Sequence, residues 1–116
     1  MAKFVKGDVV VVPFPFSDLT VSKRRPALVL ARATATDFIL AQITSRNMVD
    51  GLAVAIETAD FAEGGLNTAS NVRPNKLFTA ESGLILYKAG SLTPEKTDEV
   101  TTAVSTLLQS GDYRMR

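Results

Sequence analysis

The chain contains no histidine, no cysteine and no tryptophan. Without histidine it lacks the side chain that ordinarily moves protons near neutral pH. Ser-His-Asp catalysis, Cys-His catalysis and every His-based zinc site are thereby excluded. Without cysteine there is neither a disulfide framework nor a thiolate nucleophile, which suits a reducing compartment. No apolar run approaches the roughly 20 residues that span a bilayer. The opening Met1-Ala2-Lys3-Phe4-Val5-Lys6 has no apolar signal core, so a cytoplasmic protein without membrane contact is the expectation. Charge bias is missing too: 13 Lys and Arg against 12 Asp and Glu leave a net +1. A polyanion would have to be held by a local patch and not by the whole surface. Phosphoryl chemistry would rest on carboxylates, hydroxyls, Lys or Arg.

What is present fits one domain spanning residues 1–116. A hydrophobic share of 46% and a charged share of 22% are ordinary for a globular chain. The richest stretch is its beginning. Gly7-Asp8 opens a valine run to Val12, then Pro13-Phe14-Pro15-Phe16; after a polar loop, Lys23-Arg24-Arg25 leads into Pro26-Ala27-Leu28-Val29-Leu30. Two apolar runs bounded by Gly, Pro and Ser read as buried strands. Strand one is expected over Asp8 to Pro13, with Pro13-Phe14-Pro15-Phe16 confined to a sheet edge or an ordered turn because each proline lacks an N–H donor. Pro26 is expected to begin strand two and holds Arg25 extended.

Phe38 to Thr44 alternates as a third strand, with Phe38, Leu40, Gln42 and Thr44 on one face. Leu52, Val54 and Ile56 mark a fourth strand, Asn71 to Thr79 a fifth, and Gly83 to Tyr87 a sixth short stretch. The period then changes. Val100, Val104, Leu107 and Leu108 form one helical stripe, with Thr93 as N-cap, Pro94 at the first position and Gly111 as the stop. Short strands followed by one amphipathic helix predict a mainly β antiparallel barrel with the helix packed over it.

Candidate chemistry concentrates in two cationic constellations. Arg25, preceded by Lys23 and Arg24, sits where a loop meets a strand, and Arg offers phosphate a bidentate fork. Asn71-Val72-Arg73-Pro74-Asn75-Lys76 contains a second Arg-Pro dipeptide, so Arg73 with Asn75 and Lys76 makes the other half of a two-sided clamp on a phosphodiester. Thr44 and Ser45, followed by Arg46, end the third strand with hydroxyls that either close the turn or reach a bound phosphate. Phe14, Phe16 and Phe78 are core residues or base-stacking platforms, and Asp18 is a turn residue or a base. Glu57, Asp60 and Glu63 read as a solvated acidic loop, and no metal or other cofactor is implied.

In their order, Gly7-Asp8 with its valines, Arg25-Pro26-Ala27-Leu28-Val29-Leu30, Ile43-Thr44, Val72-Arg73 and the final helix resemble the MazF/PemK family. These are the endoribonuclease toxins of bacterial toxin–antitoxin modules. The resemblance implies an SH3-like barrel, a homodimer, and metal-independent cleavage of single-stranded RNA (often mRNA) at short motifs. It also implies inhibition by a cognate antitoxin, with operator DNA bound only in that company. Matched position by position, Arg25, Thr44 and Arg73 are the catalytic set; Lys23, Arg24, Ser45, Arg46, Asn75 and Lys76 are RNA contacts. Val21-Ser22-Lys23 stands where some members place an acidic residue, and Asn75 where some use Asp, so the resemblance assigns phosphate contacts and no general base. Two other functions share such a barrel. The gyrase-targeting CcdB toxins are usually described with a tryptophan near the C-terminus, absent here; the other is a non-catalytic RNA- or protein-binding barrel.

Overall fold

The computed structural model describes residues 4–15, 22–45 and 50–115. Seven strands form one antiparallel sheet: β1 Asp8–Pro15, β2 Ser22–Arg32, β3 Asp37–Ser45, β4 Val54–Ile56, β5 Phe61–Gly64, β6 Ser70–Glu81 and β7 Tyr87–Leu92. Their lateral order is β4-β6-β3-β2-β1-β7-β5. A single long helix, α1 (Pro94–Ser110), follows. The sequence predicts a mainly β antiparallel barrel with a C-terminal helix, and the described sheet is a curled half-barrel of that class. Among the described residues no helix is long and apolar enough to cross a membrane.

Both faces of the sheet are buried over its middle, because period-two alternation is apolar on both sides there. One face gathers Val10, Val12, Ala27, Val29, Phe38 and Leu40 around Phe4. The other gathers Val9, Leu28, Ala41, Ile43 and Val72 beneath Val100 of α1. Phe4 meets Phe38 edge-on at 6.0 Å, and Phe14 meets Phe78 at 5.3 Å. Since β1 and β6 are not neighbours in the sheet, the second contact spans its curl. Phe14 and Phe78 are therefore half-buried partners of one another. Phe16 lies outside the described residues.

The helix ends as its sequence dictates. Thr93 Oγ1 accepts from the Lys96 amide at 3.2 Å, and Gly111 closes the helix in the left-handed region at φ 74°. Val100 is fully buried on the predicted stripe, but Leu108 is 67% exposed; the stripe has rotated off the sheet by the last turn.

Several boundaries differ from expectation. β1 continues through Pro15, paired with β2 as far as Ser22. Pairing of β1 with β7 stops at Val11, so the prolines lie on a local edge, where a missing donor is tolerated. Pro26 does not begin β2: it sits inside the strand opposite Val11, just before β2–β3 pairing starts at Ala27. Residues Ser82–Leu84 form a short 3₁₀ turn, and the strand expected there starts at Tyr87. β5 was not anticipated. It holds β7 through Gly64 opposite Gly90, a contact that only paired glycines permit, since a Cβ on Gly90 would lie 2.5 Å from the Glu63 carbonyl oxygen.

Candidate active site

Three adjacent strands carry the three residues singled out in the sequence. In the order β6-β3-β2 they are Arg73, Thr44 and Arg25. Their common end follows from register. Ala27 pairs with Gln42, so two residues further along each strand, on the same face, stand Arg25 and Thr44. Arg25 is opposite Val12, a member of the Phe38 core, which fixes the face. Thr44 is opposite Asn71 and Ile43 opposite Val72. Alternation then places Arg73 on the face of Thr44. Measured across the strands, the outer arginines are two inter-strand spacings apart, about 10 Å, with Arg73 displaced along β6 from the Thr44–Asn71 pair.

The Arg73 side of this row depends on a break in the β3–β6 ladder. Ala41 pairs with Leu77 and Ile43 with Val72, two steps on β3 against five on β6. The excess residues come from Arg73-Pro74-Asn75-Lys76, the segment whose proline cannot donate to a ladder. Arg73 is nevertheless only 7% exposed. Its Nη2 donates to Asp50 Oδ2 at 2.6 Å, and the Asn75 amide donates to the same oxygen at 3.3 Å. Asp50 Oδ1 accepts from the backbone amides of Leu52 and Ala53 at 2.9 and 3.0 Å. Burial acts to raise the Asp50 pKa. The Arg73 hydrogen bond, the Leu52 amide, Asn75 and the Arg73 charge outweigh it and hold the carboxyl below its ordinary 3.8.

Thr44 Oγ1 and Arg73 Nε have no hydrogen-bond partner among the described residues. Both are shielded from solvent. Leaving such an atom unmet costs on the order of 1–3 kcal/mol. Two of them on one face of adjacent strands mark a place prepared for an acceptor-rich group.

The remaining sequence candidates divide. Lys23, Arg24 and Lys76 are exposed cations around the row. Ser45 is exposed, and its carbonyl accepts from Asn71 Nδ2 at 3.3 Å. Asn75 spends an amide proton on Asp50. Arg46 and Asp18 lie outside the described residues. The acidic group is drawn elsewhere: Asp60 accepts from the Glu57 amide and pairs with Lys96, and Glu63 pairs with Lys88. Sequence reasoning missed Asp50. Its available signal was Asp50-Gly51, a turn dipeptide, which foretells the Oδ1 contacts but not an ion pair across 23 residues. Beyond Asp50 a groove of about 960 Å³ runs between Leu52 and Asn75 on one side and Leu107, Tyr113 and Arg114 on the other.

The family profile described as PemK-like, MazF-like toxin of type II toxin–antitoxin systems matches residues 5–108. This chain belongs to that family. Among curated proteins no sequence relative is found. Solved structures share the toxin's fold. An endoribonuclease from a mycobacterial species, in complex with its cognate antitoxin, superposes with a TM-score of 0.71 at 17% identity, covering 94% of this chain and 96% of that one. MazF from Deinococcus radiodurans gives 0.71 at 19% identity, covering 94% and 99%. The Mycobacterium tuberculosis toxin MazF-mt6 gives 0.64 at 22%, covering 86% and 96%. At these identities the likeness is one of architecture, so the toxin's own residues must carry its chemistry.

Proposed function

We propose that this toxin is a metal-independent endoribonuclease acting on single-stranded RNA, with Arg25, Thr44 and Arg73 as its catalytic residues. The observation that carries the reading is the buried pair of unmet donors, Thr44 Oγ1 and Arg73 Nε, in one row with Arg25. A row of two guanidiniums and a hydroxyl fits an anion and repels a cation. The carboxylate beside it, Asp50, is already taken up by Arg73, Asn75 and two amides.

The RNA's own 2′-hydroxyl is the nucleophile. Its oxygen bonds to the adjacent phosphorus as its proton passes to solvent water, the P–O5′ bond breaks, and the departing oxygen takes up a proton from solvent. The products are a 2′,3′-cyclic phosphate and a 5′-hydroxyl. Arg25 and Arg73 stabilise the charge that builds on the non-bridging oxygens, while Thr44 donates to the phosphate or the leaving oxygen. Arg25 serves as an electrostatic group and not as a base, because guanidinium pKa values lie above about 12. Since Thr44 Oγ1 and Arg73 Nε are covered, phosphate reaches them only after a local rearrangement.

Lys23, Arg24, Ser45, Arg46, Asn75 and Lys76 line the RNA path, and unstacked bases supply the sequence choice. The cognate antitoxin lays an acidic, partly disordered segment over the same cations, and operator DNA is bound only in that complex. The working form is a cytoplasmic homodimer of single-domain chains, joined through strand edges and the end of α1, where Leu108 and Tyr113 are exposed. A strict monomer by light scattering at micromolar concentration overturns the dimer.

The decisive experiment is cleavage of a long single-stranded RNA in EDTA, with fragment ends mapped. Wild type should cut at a recurrent motif and leave cyclic phosphates. Arg25→Ala should lose on the order of 10²–10³ in rate; near-normal cutting by that variant removes Arg25 from the mechanism. Absence of cutting by the wild type across varied RNAs returns the toxin to the class of binding modules.

A further inference from the structure

We infer that Asp50 is a positioning residue for RNA cleavage, fixing Arg73 through one guanidinium edge so that its Nε–H is presented to the scissile phosphate. The inference rests on the ribonuclease reading and adds a residue that the Arg, Thr, Arg set does not contain.

Geometry separates the jobs of the two carboxylate oxygens. Oδ1 holds the turn into Leu52 and Ala53, while Oδ2 takes Arg73 Nη2 at 2.6 Å and Asn75 Nδ2 at 3.3 Å. Asp50 is thereby tied to its own backbone on one side and grips β6 on the other. Arg73 lies in the stretch where the β3–β6 ladder is broken, so pairing alone does not fix its side chain. A guanidinium has five N–H donors in one plane. Committing Nη2 to a rigid carboxylate sets the orientation of that plane, and with it the direction of Nε–H, which has no partner among the described residues. A lysine in place of Arg73 could satisfy Asp50 but would have no second edge to offer. The depressed Asp50 pKa keeps the carboxylate ionised through the neutral range, which suits an anchor and makes it a weak proton acceptor.

Asp50→Asn is the informative substitution, because an asparagine retains the Oδ1 acceptor that holds the turn and removes the charge that grips Arg73. It should lower kcat by on the order of 10²-fold, the usual consequence of a misplaced catalytic group, while KM changes little. Combined with Arg73→Ala, it should add no further loss, because Asp50 acts through Arg73. A wild-type kcat for Asp50→Asn overturns the inference, as does a full additional loss in the Arg73→Ala background. A second readout requires no turnover. In ¹⁵N spectra the Arg73 Nε–H signal of wild type should shift when an uncleavable oligonucleotide with 2′-deoxyribose at the scissile position is added, and in Asp50→Asn that response should vanish. A wild type that cuts no RNA removes the ribonuclease reading, whereas an Arg73 signal that responds equally in both proteins removes the role of Asp50.

Discussion

Thr44 and Asn71 face each other across β3 and β6, and the Asn71 amide reaches past Thr44 to the carbonyl of Ser45 at 3.3 Å. The end of β3 that carries the Thr44 hydroxyl is thus fastened by a side chain that is only 1% exposed. Asn71→Ala should cost about 1–3 kcal/mol, the penalty for stripping a partner from a buried polar group. Urea denaturation should show a lower midpoint with an unchanged slope.

The ion pair of Arg73 with Asp50 gives stability a defined pH dependence. Asp50 has a folded pKa below its ordinary 3.8, so its contribution is fully present above 3.8 and is lost as pH falls through the depressed folded value. The stability difference between wild type and Asp50→Asn should therefore stay level from neutral pH down towards the ordinary value, then shrink in more acidic solution. Urea melts of both proteins across that range check the sign.

Lys23, Arg24 and Lys76 are exposed and should act on RNA chiefly through its charge. For single strands, each phosphate contact contributes about 0.7 to the slope of log K against log salt. Replacing any one of the three with Gln should flatten the slope by about that amount and weaken motif and non-motif RNA alike. Binding isotherms at several salt concentrations test it. An unchanged slope would remove that residue from the RNA path.

Gly90 has no room for a side chain, since a Cβ there would also lie 2.9 Å from the Gly65 nitrogen. Gly90→Ala should push β5 off β7 and destabilise the fold by about 1–3 kcal/mol, read as a lower melting temperature. Arg25, Thr44 and Arg73 lie on other strands, so activity per folded molecule should be retained at low temperature.

Much of this fold was legible because its signals are local. Alternation at Phe38 to Thr44 separated two faces that prove to be two cores. Thr93, Pro94 and Gly111 bounded the helix correctly. The Arg-Pro dipeptides marked Arg25 and Arg73, which stand on the strands either side of β3. What stayed hidden depends on partners distant in sequence. Phe61–Gly64 has no apolar alternation and becomes a strand only because β7 offers it a backbone. Pro26 appeared to be a boundary because sequence cannot show that β3 pairing starts one residue later. Asp50 was missed altogether, because its ion pair to Arg73 joins residues 23 apart in sequence.

The ladder break in β6 has an evolutionary consequence. Its excess over β3 is three residues, an odd number, so Val72 and Phe78 serve opposite cores despite both being even-numbered. Losing or gaining one residue there would turn half the strand inside out, whereas a change of two would spare both cores. Related sequences can alter the length of this segment only in pairs, so it is constrained in count as well as in the chemistry of Arg73 and Asn75.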